Sequence, residues 1–413
     1  MAKHHSALGL AIPHSIAVRG IDIANRAPVQ PVTLVRPHAA RRAARYFVEK
    51  FPGRSMYAVK ANPSPDLIRI LFDAGITHFD VASIGEVRLV AGVAPEATLC
   101  FMHPVKAPEA IREAYFTHGV RVFSLDSMEE LDKIVRATTD EAGHAATDLT
   151  LCVRLRVSSD HSKLSLASKF GVGQGDTRVL LMAARQAADA LGICFHVGSQ
   201  AMSPEAYANA MERVRIAIVD AGVTVDVVDV GGGFPSSYPG MEPPPLDRYF
   251  ATIHRAFESL PISYSAELWA EPGRALCAEY SSIVVRVEQR RGDELYINDG
   301  AYGALFDAAH LGWRFPVRLL REPDSNARDM AFSFYGPTCD DLDHMTGPFM
   351  LPADVRAGDY LEVGMLGAYG AAMRTAFNGF GAGDTVVVDD EPMTSLYVED
   401  EAAPMVASNV FSL

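Results

Sequence analysis

From about residue 30 to residue 275 two hydrophobic patterns alternate along the chain. Short, nearly continuous apolar runs rich in Val, Ile and Phe predict buried strands at 56–61, 78–82, 98–102, 121–125, 149–156, 193–198, 225–230 and 263–270. Between them, apolar residues recur at helical spacing over 65–74, 86–91, 108–118, 128–137, 178–191, 204–221 and 246–260. Pro65, Pro108 and Pro204 stand near predicted helix starts, and Gly75, Gly119, Gly192 and Gly222 near predicted ends. Eight strands with a helix after nearly every one predict an α/β fold, a (β/α)8 barrel rather than an open doubly wound sheet.

After Gly273 the texture changes. Apolar and β-branched runs at 281–290, 294–298, 330–335, 359–363 and 385–388 are separated by Gly, Pro and Asp turns, the pattern of an all-β unit. Runs at 15–18 and 32–35 are expected to join it. The predicted organisation is therefore a barrel over 35–275, with a β-sandwich or β-barrel domain made from 1–34 and 276–413. No internal repeat is present, and the only low-complexity stretch is the proline run at 243–245, read as a loop.

The barrel reading gives the polar residues at strand ends a common place, the rim where such folds keep their chemistry. In Met-Tyr-Ala-Val-Lys-Ala-Asn-Pro, residues 56–63, Asn62-Pro63 stops a strand and leaves Lys60 at its carboxyl end. A lysine desolvated there loses its proton and becomes a nucleophile toward carbonyls. The same rim should carry Asp80, Arg154, His196 with Ser199, Gly231-Gly232-Gly233, and Glu271 with Gly273 and Arg274. Singly, each has a plain structural role, as a helix cap, a core histidine or a turn. Together, the glycines, Ser199 and Arg274 form a phosphate cup, since backbone N–H groups approach an anion where no side chain intervenes. No Walker or GxGxxG context points to a nucleotide instead. A reactive lysine, a phosphate cup and a carboxylate predict pyridoxal phosphate, with the carboxylate keeping the pyridine nitrogen protonated.

Charge and cysteine usage narrow the partners. A net charge of −14 disfavours nucleic acid and anionic membranes and suits a small cationic substrate. No apolar run is long enough to span a bilayer, and the N-terminus shows no signal-peptide core. Five scattered cysteines without a CxxC pair predict a reducing, cytoplasmic setting, and no metal site is expected, His4-His5 being too short for one.

These residues carry a family resemblance. Tyr57-Ala-Val-Lys60-Ala-Asn62, Phe79-Asp80-Val-Ala-Ser83, Phe195-His196-Val-Gly-Ser199, Asp229-Val-Gly-Gly-Gly-Phe-Pro235, Glu271-Pro-Gly-Arg274, Gly336-Pro-Thr-Cys339-Asp340 and Gly367-Ala-Tyr369 run in one order across most of the chain. The chain resembles the ornithine/diaminopimelate/arginine decarboxylases, pyridoxal-phosphate enzymes of the alanine-racemase-like fold (fold type III). The resemblance implies a barrel plus a β domain holding both termini, and a homodimer with shared active sites. It implies that Lys60 is the Schiff-base lysine, Glu271 the partner of the pyridine nitrogen and His196 the residue stacked on the cofactor ring. Ser199, Gly232, Gly233, Gly273, Arg274 and Tyr369 match phosphate ligands, and Asp80 and Arg154 match neighbours of the cofactor and its lysine. Cys339 and Asp340 match residues delivered by the other subunit, one to return a proton to carbon and one to meet the substrate's distal amine. Lys169 and Asp343 match positions paired between subunits.

Within that family the distal end of the substrate decides specificity, an aspartate suiting an ammonium where a carboxylate would need an arginine. Cys339-Asp340-Asp341-Leu342-Asp343 and Phe306-Asp307 resemble the ornithine/lysine branch, so Asp307, Asp340 and Tyr302 are the expected substrate contacts. Phe306 stands where an aromatic hydroxyl is common, Asp341 where a small residue is common, and the stretch 313–321 matches nothing familiar. The expected reaction is decarboxylation of L-ornithine to putrescine, a step of polyamine biosynthesis. Lysine decarboxylation to cadaverine is the alternative, ahead of a diaminopimelate decarboxylase or a racemase of the same fold. A regulatory homologue without activity is disfavoured by the presence of Lys60, Glu271 and Cys339.

Overall fold

The computed structural model describes residues 18–166, 168–324 and 326–397. Eight parallel strands close into a barrel: Arg54–Ala58, His78–Val81, Thr98–Phe101, Val122–Leu125, Thr150–Arg154, Ala190–Cys194, Val227–Asp229 and Glu267–Ala270. The last strand pairs with the first through Trp269 on Arg54 and Ala270 on Ser55. The two faces of each strand separate two cores, as a period of two requires. Tyr57, Phe79, Phe101, Phe123 and Ile193 face the helices, whereas Met56, Cys100, Cys152, Cys194, Val227 and Trp269 fill the barrel interior. The expected barrel is observed.

Boundaries moved for local reasons. The strand expected at 56–61 ends at Ala58, and Val59–Ala61 form a single 3₁₀ turn. The run at 193–198 is strand only to Cys194, and Ser199–Ala201 instead pairs with Ser162–Leu164 in a separate ribbon. The helix expected at 178–191 spans Gln174–Ala187, so Gly192 is not a helix stop. Gly192 lies inside a barrel strand, where a Cβ would stand 2.5 Å from Cys152 Sγ. Gly119 and Gly222 do end helices in the left-handed conformation. A helix over Pro37–Lys50 was not expected, because its buried stripe is mostly alanine: Ala39, Ala40, Ala43, Ala44 and Phe47.

The second unit is an eight-stranded, mostly antiparallel sheet. Val32–Val35, ahead of the barrel in sequence, pairs antiparallel with Ser281–Arg291 and parallel with Asp384–Val387. Val317–Leu319 and His344–Pro352 are additional strands, the latter hidden in the sequence by Gly347-Pro348. The unfamiliar stretch 313–321 supplies Val317–Leu319 and buries Trp313 and Phe315 against Tyr238. Of the run at 15–18 only Val18 lies within the described residues, and it is in no strand; His4-His5 lies outside them. Among the described residues no helix is long and apolar enough to cross a membrane.

Candidate active site

The 3₁₀ turn at the end of the first barrel strand lifts Lys60 off the barrel wall. Its Nζ lies 2.7 Å from Oδ2 of Asp80, the penultimate residue of the neighbouring strand, and the lysine side chain keeps 41% of its surface exposed. Burial works to lower the Lys60 pKa, but the carboxylates of Asp80 and Glu271 outweigh it and raise the pKa. The expectation of a neutral, desolvated lysine is therefore corrected: without the cofactor, Lys60 is an ammonium held by Asp80. Two backbone ties fix the turn, Asn62 Nδ2 donating to Gly367 O (2.7 Å) and Tyr369 N donating to Ala61 O (2.8 Å). Tyr369 thereby comes from the sheet domain to the lysine.

Opposite stand two buried acids. Burial pushes the Glu271 carboxyl well above the carboxylate range, and the negative charges of Asp229 and Asp80 push it further. Asp229 accepts from Gly231 N at 2.8 Å through Oδ1, and its carboxyl pairs side chain to side chain with that of Glu271. His196 is driven well below the usual imidazole range by burial, then by the charges of Arg154 and Lys60. Its Nδ1 accepts from Gly198 N at 3.0 Å, so the neutral ring carries its proton on Nε2. Arg154 ends the fifth barrel strand with its guanidinium 5.5 Å from the Phe170 ring centroid.

The glycines crowd this floor because nothing larger fits. A Cβ on Gly232 would lie 2.8 Å from Glu271 O and 3.0 Å from His196 Nε2. On Gly233, at φ +99°, it would meet Gly198 O at 2.4 Å. Gly273 faces Ala58 and Ala61, and Arg274 opens the short helix Arg274–Cys277. Buried Arg274 donates from Nη1 to Tyr238 Oη (3.0 Å) and from Nη2 to Asp307 Oδ2 (3.2 Å), and lies 4.4 Å from the Trp313 ring centroid. Its Nε is buried without a partner. Ser199 opens the ribbon strand, and the buried Gln200 beside it exchanges two hydrogen bonds with the Ser236 backbone.

The set fits pyridoxal phosphate. Three carboxylates face one ammonium, and the raised Glu271 pKa marks a place where a further cation, the protonated ring nitrogen, would be stabilised. A glycine floor and an arginine with an unused N–H suit a phosphate.

Cys339, Asp340 and Tyr302 form a second cluster, on the sheet domain. Cys339 is exposed, with its Sγ 3.3 Å from Asn378 Oδ1. Tyr302 O–H donates to Asp340, which holds that carboxyl below its usual range. None of the hydrogen bonds of Cys339 and Asp340 reaches the barrel mouth. Asp307 is drawn to Arg274 rather than left free for a substrate. Asp343 is 1% exposed and accepts from Ala301 N (2.7 Å) and from Thr338 N and Oγ1 (3.0 and 2.7 Å). These bonds within its own chain hold Asp343 in place, and the expected pairing with Lys169 of a second subunit is left to the mutant cycle below. Sequence reasoning assigned no role to Asp229, Gln200 or Tyr238, and gave Asn62 only that of a strand stop. Only the position of Asp229 ahead of the glycine run, and of Gln200 behind Ser199, signalled any of them.

Comparison with known proteins agrees with this geometry. The model of the pyridoxal-dependent decarboxylase pyridoxal-binding domain matches residues 38–278, and that of the C-terminal sheet domain matches residues 211–367. A lysine/ornithine decarboxylase of Selenomonas ruminantium is 30% identical, over 81% of this chain and 84% of the relative. Antizyme inhibitor 2 of Xenopus laevis is 33% identical, over 79% and 74%. The crystal structure of the Paramecium bursaria Chlorella virus arginine decarboxylase superimposes with a TM-score of 0.79 at 26% identity, covering 89% of this chain and all of that one. With Lys60, Glu271 and the glycine floor in place, the chain belongs to the pyridoxal-dependent decarboxylases of the ornithine/lysine/arginine family, whose cofactor is pyridoxal phosphate.

Proposed function

We propose that the protein decarboxylates a basic L-amino acid, with L-ornithine, giving putrescine, as the preferred substrate. The observation that carries the substrate reading is Asp340. Its carboxyl is held ionised by the Tyr302 hydroxyl beside Cys339, and an ionised aspartate selects a distal ammonium over a distal carboxylate. Lys60, Asp80, Arg154, His196, Ser199, Gly232, Gly233, Glu271, Gly273, Arg274 and Tyr369 would hold the cofactor. When bound, pyridoxal phosphate supplies the electron sink for the carbon that loses CO2.

The chain's own residues do the rest. Asp80 Oδ2, 2.7 Å from Lys60 Nζ, orients the lysine and is the nearest acceptor for its proton. Glu271 would hold the ring nitrogen and, once ionised, stabilise its positive charge. Neutral His196 presents a flat ring without adding positive charge. Cys339 returns a proton to carbon after CO2 leaves, and Asp340 anchors the far end of the substrate.

A second copy completes the site in this reading. Cys339 and Asp340 are bonded within the sheet domain, and Leu342, Met373, Phe377 and Phe380 are exposed in the segments around them. Such an apolar collar around polar catalytic groups suits an interface in a homodimer. Five free cysteines, four of them buried, suit a reducing cytoplasm.

Lysine is the second reading, favoured by Asp307. Bound to Arg274, that carboxylate is set back toward the phosphate cup, which suits a longer chain or leaves recognition to Asp340. Measured CO2 release from ornithine, lysine, arginine and meso-diaminopimelate decides among these. Ornithine should show the highest kcat/KM, with lysine next. A preference for arginine or diaminopimelate would overturn the substrate assignment, and no CO2 from any of the four would leave a binding protein without activity.

A further inference from the structure

After the strand Asp384–Val387 the chain turns back onto the barrel. Asp390 anchors this strap at Arg36 (2.8 Å) and Arg318 (2.9 Å). Thr394 Oγ1 then donates to Ser237 O (3.2 Å), and Ser395 Oγ and Leu396 N donate to the Glu279 carboxylate (2.8 and 3.1 Å). Tyr397, 4% exposed, packs edge-on against Tyr46 and donates its hydroxyl proton to Ala275 O at 2.6 Å.

None of these bonds lies in the active site, yet two of them, to Ser237 and Ala275, hold the immediate neighbours of residues at the phosphate cup. Ala275 follows Arg274 in a helix of four residues, whose one helical bond at its end runs from Ala278 N to Arg274 O. So short a helix does not hold its own place. Ser237 lies between Ser236, whose hydroxyl donates to Arg274 O (3.4 Å), and Tyr238, which accepts from Arg274 Nη1 (3.0 Å). Ser236 is in turn clamped by Gln200, next to Ser199. The strap thus grips both walls behind the phosphate cup, the Arg274 helix and the 236–238 loop.

We infer that residues 394–397 are a positioning element for the cofactor's phosphate, with Tyr397 and Thr394 setting the spacing between Arg274 and the Ser199 side of the cup. The inference rests on Ser199, Gly232, Gly233, Gly273 and Arg274 being the phosphate ligands. It demands selectivity: loosening the strap weakens a ligand that bears the phosphate and spares one that lacks it.

The test titrates cofactor-free, full-length protein with pyridoxal phosphate and with pyridoxal, following absorbance and intrinsic fluorescence, and records the Tm of each cofactor-free variant. Tyr397→Phe keeps the ring and removes one hydrogen bond. It should raise Kd for pyridoxal phosphate about fivefold and leave Kd for pyridoxal within about twofold, with a modest fall in Tm as Ala275 O loses its donor. Thr394→Val, at a half-buried site, should act in the same direction and decides the matter if Tyr397→Phe folds poorly. Arg274→Gln is the control and should erode the phosphate preference further. Equal weakening of both ligands, or no weakening of either, overturns the positioning role. If Arg274→Gln leaves the phosphate preference intact, the cup assignment fails and the strap inference falls with it. If Arg274→Gln erodes the preference and the strap variants do not, only the strap inference falls.

Discussion

At the scale of single residues the site is governed by an excess of buried negative charge. Glu271 has its pKa raised by burial, then by Asp229 and Asp80, so in the cofactor-free fold it is protonated where an unfolded chain would ionise it. A carboxyl with a raised folded pKa stabilises the fold fully below its unfolded value of about 4.3, and that stability is lost as pH rises through the folded pKa. The cofactor-free protein should therefore lose Tm between about pH 5 and the raised Glu271 pKa, and Glu271→Gln should flatten that slope. The same variant should bind cofactor yet turn over about 100-fold more slowly, because glutamine cannot keep the ring nitrogen charged. Parallel Tm-versus-pH curves for wild type and variant, or near-normal turnover, would refute the role. Lys60 shows what composition and spacing cannot convey. Its motif and place at a strand end were legible, but its protonation state depends on Asp80 at 2.7 Å, on the next barrel strand and 20 residues away in sequence.

At the scale of elements, the barrel was legible wherever apolar runs and turn residues agreed, and illegible where packing used residues that carry weak signals. The Pro37–Lys50 helix buries alanines, which add little hydrophobic contrast, and His344–Pro352 carries a Gly-Pro pair that reads as a turn. The apolar run through Phe195 and Val197 continues past the end of the barrel strand at Cys194, because it packs the loop that carries His196. Asp343 is the opposite case, a charge in a polar segment that proves to be an internal anchor. Gly300 and Gly336 make room for it, since a Cβ on either would lie 2.1 Å from its Oδ1. Removing its charge leaves Ala301 N and the Thr338 donors short of an acceptor, so Asp343→Asn should cost about 1–3 kcal/mol of stability and lower activity through the adjoining Cys339 loop. Lys169→Glu should change stability by no more than about 0.5 kcal/mol. Chemical denaturation of both variants and of the double mutant distinguishes this from an ion pair between subunits. Strong coupling in that cycle would establish the pairing with Lys169 and remove the purely internal anchor role.

At the scale of the whole molecule, the two halves of the chemistry lie on different units of one chain. Lys60, Asp80 and Glu271 stand at the barrel mouth, whereas Cys339 and Asp340 are bonded to Asn378 and Tyr302 on the sheet domain and face solvent beside exposed Leu342 (65% exposed). The proposed symmetric dimer would resolve the separation by letting each sheet domain serve its partner's barrel. Mixing inactive Lys60→Ala protein with inactive Cys339→Ala protein tests this directly. In a mixed dimer one site would combine an intact lysine with an intact cysteine, and the other would lack both. Random exchange of equal amounts puts about half of all dimers in the mixed class, so about a quarter of wild-type activity should reappear. Recovery should grow with the time allowed for exchange and vanish if the subunits are cross-linked before mixing. If exchange is demonstrated by an independent label and no activity returns, each site belongs to a single chain. Cys339 would then have to reach Lys60 by a movement of its own loop, against the hydrogen bonds that tie that loop to Asn378 and Tyr302.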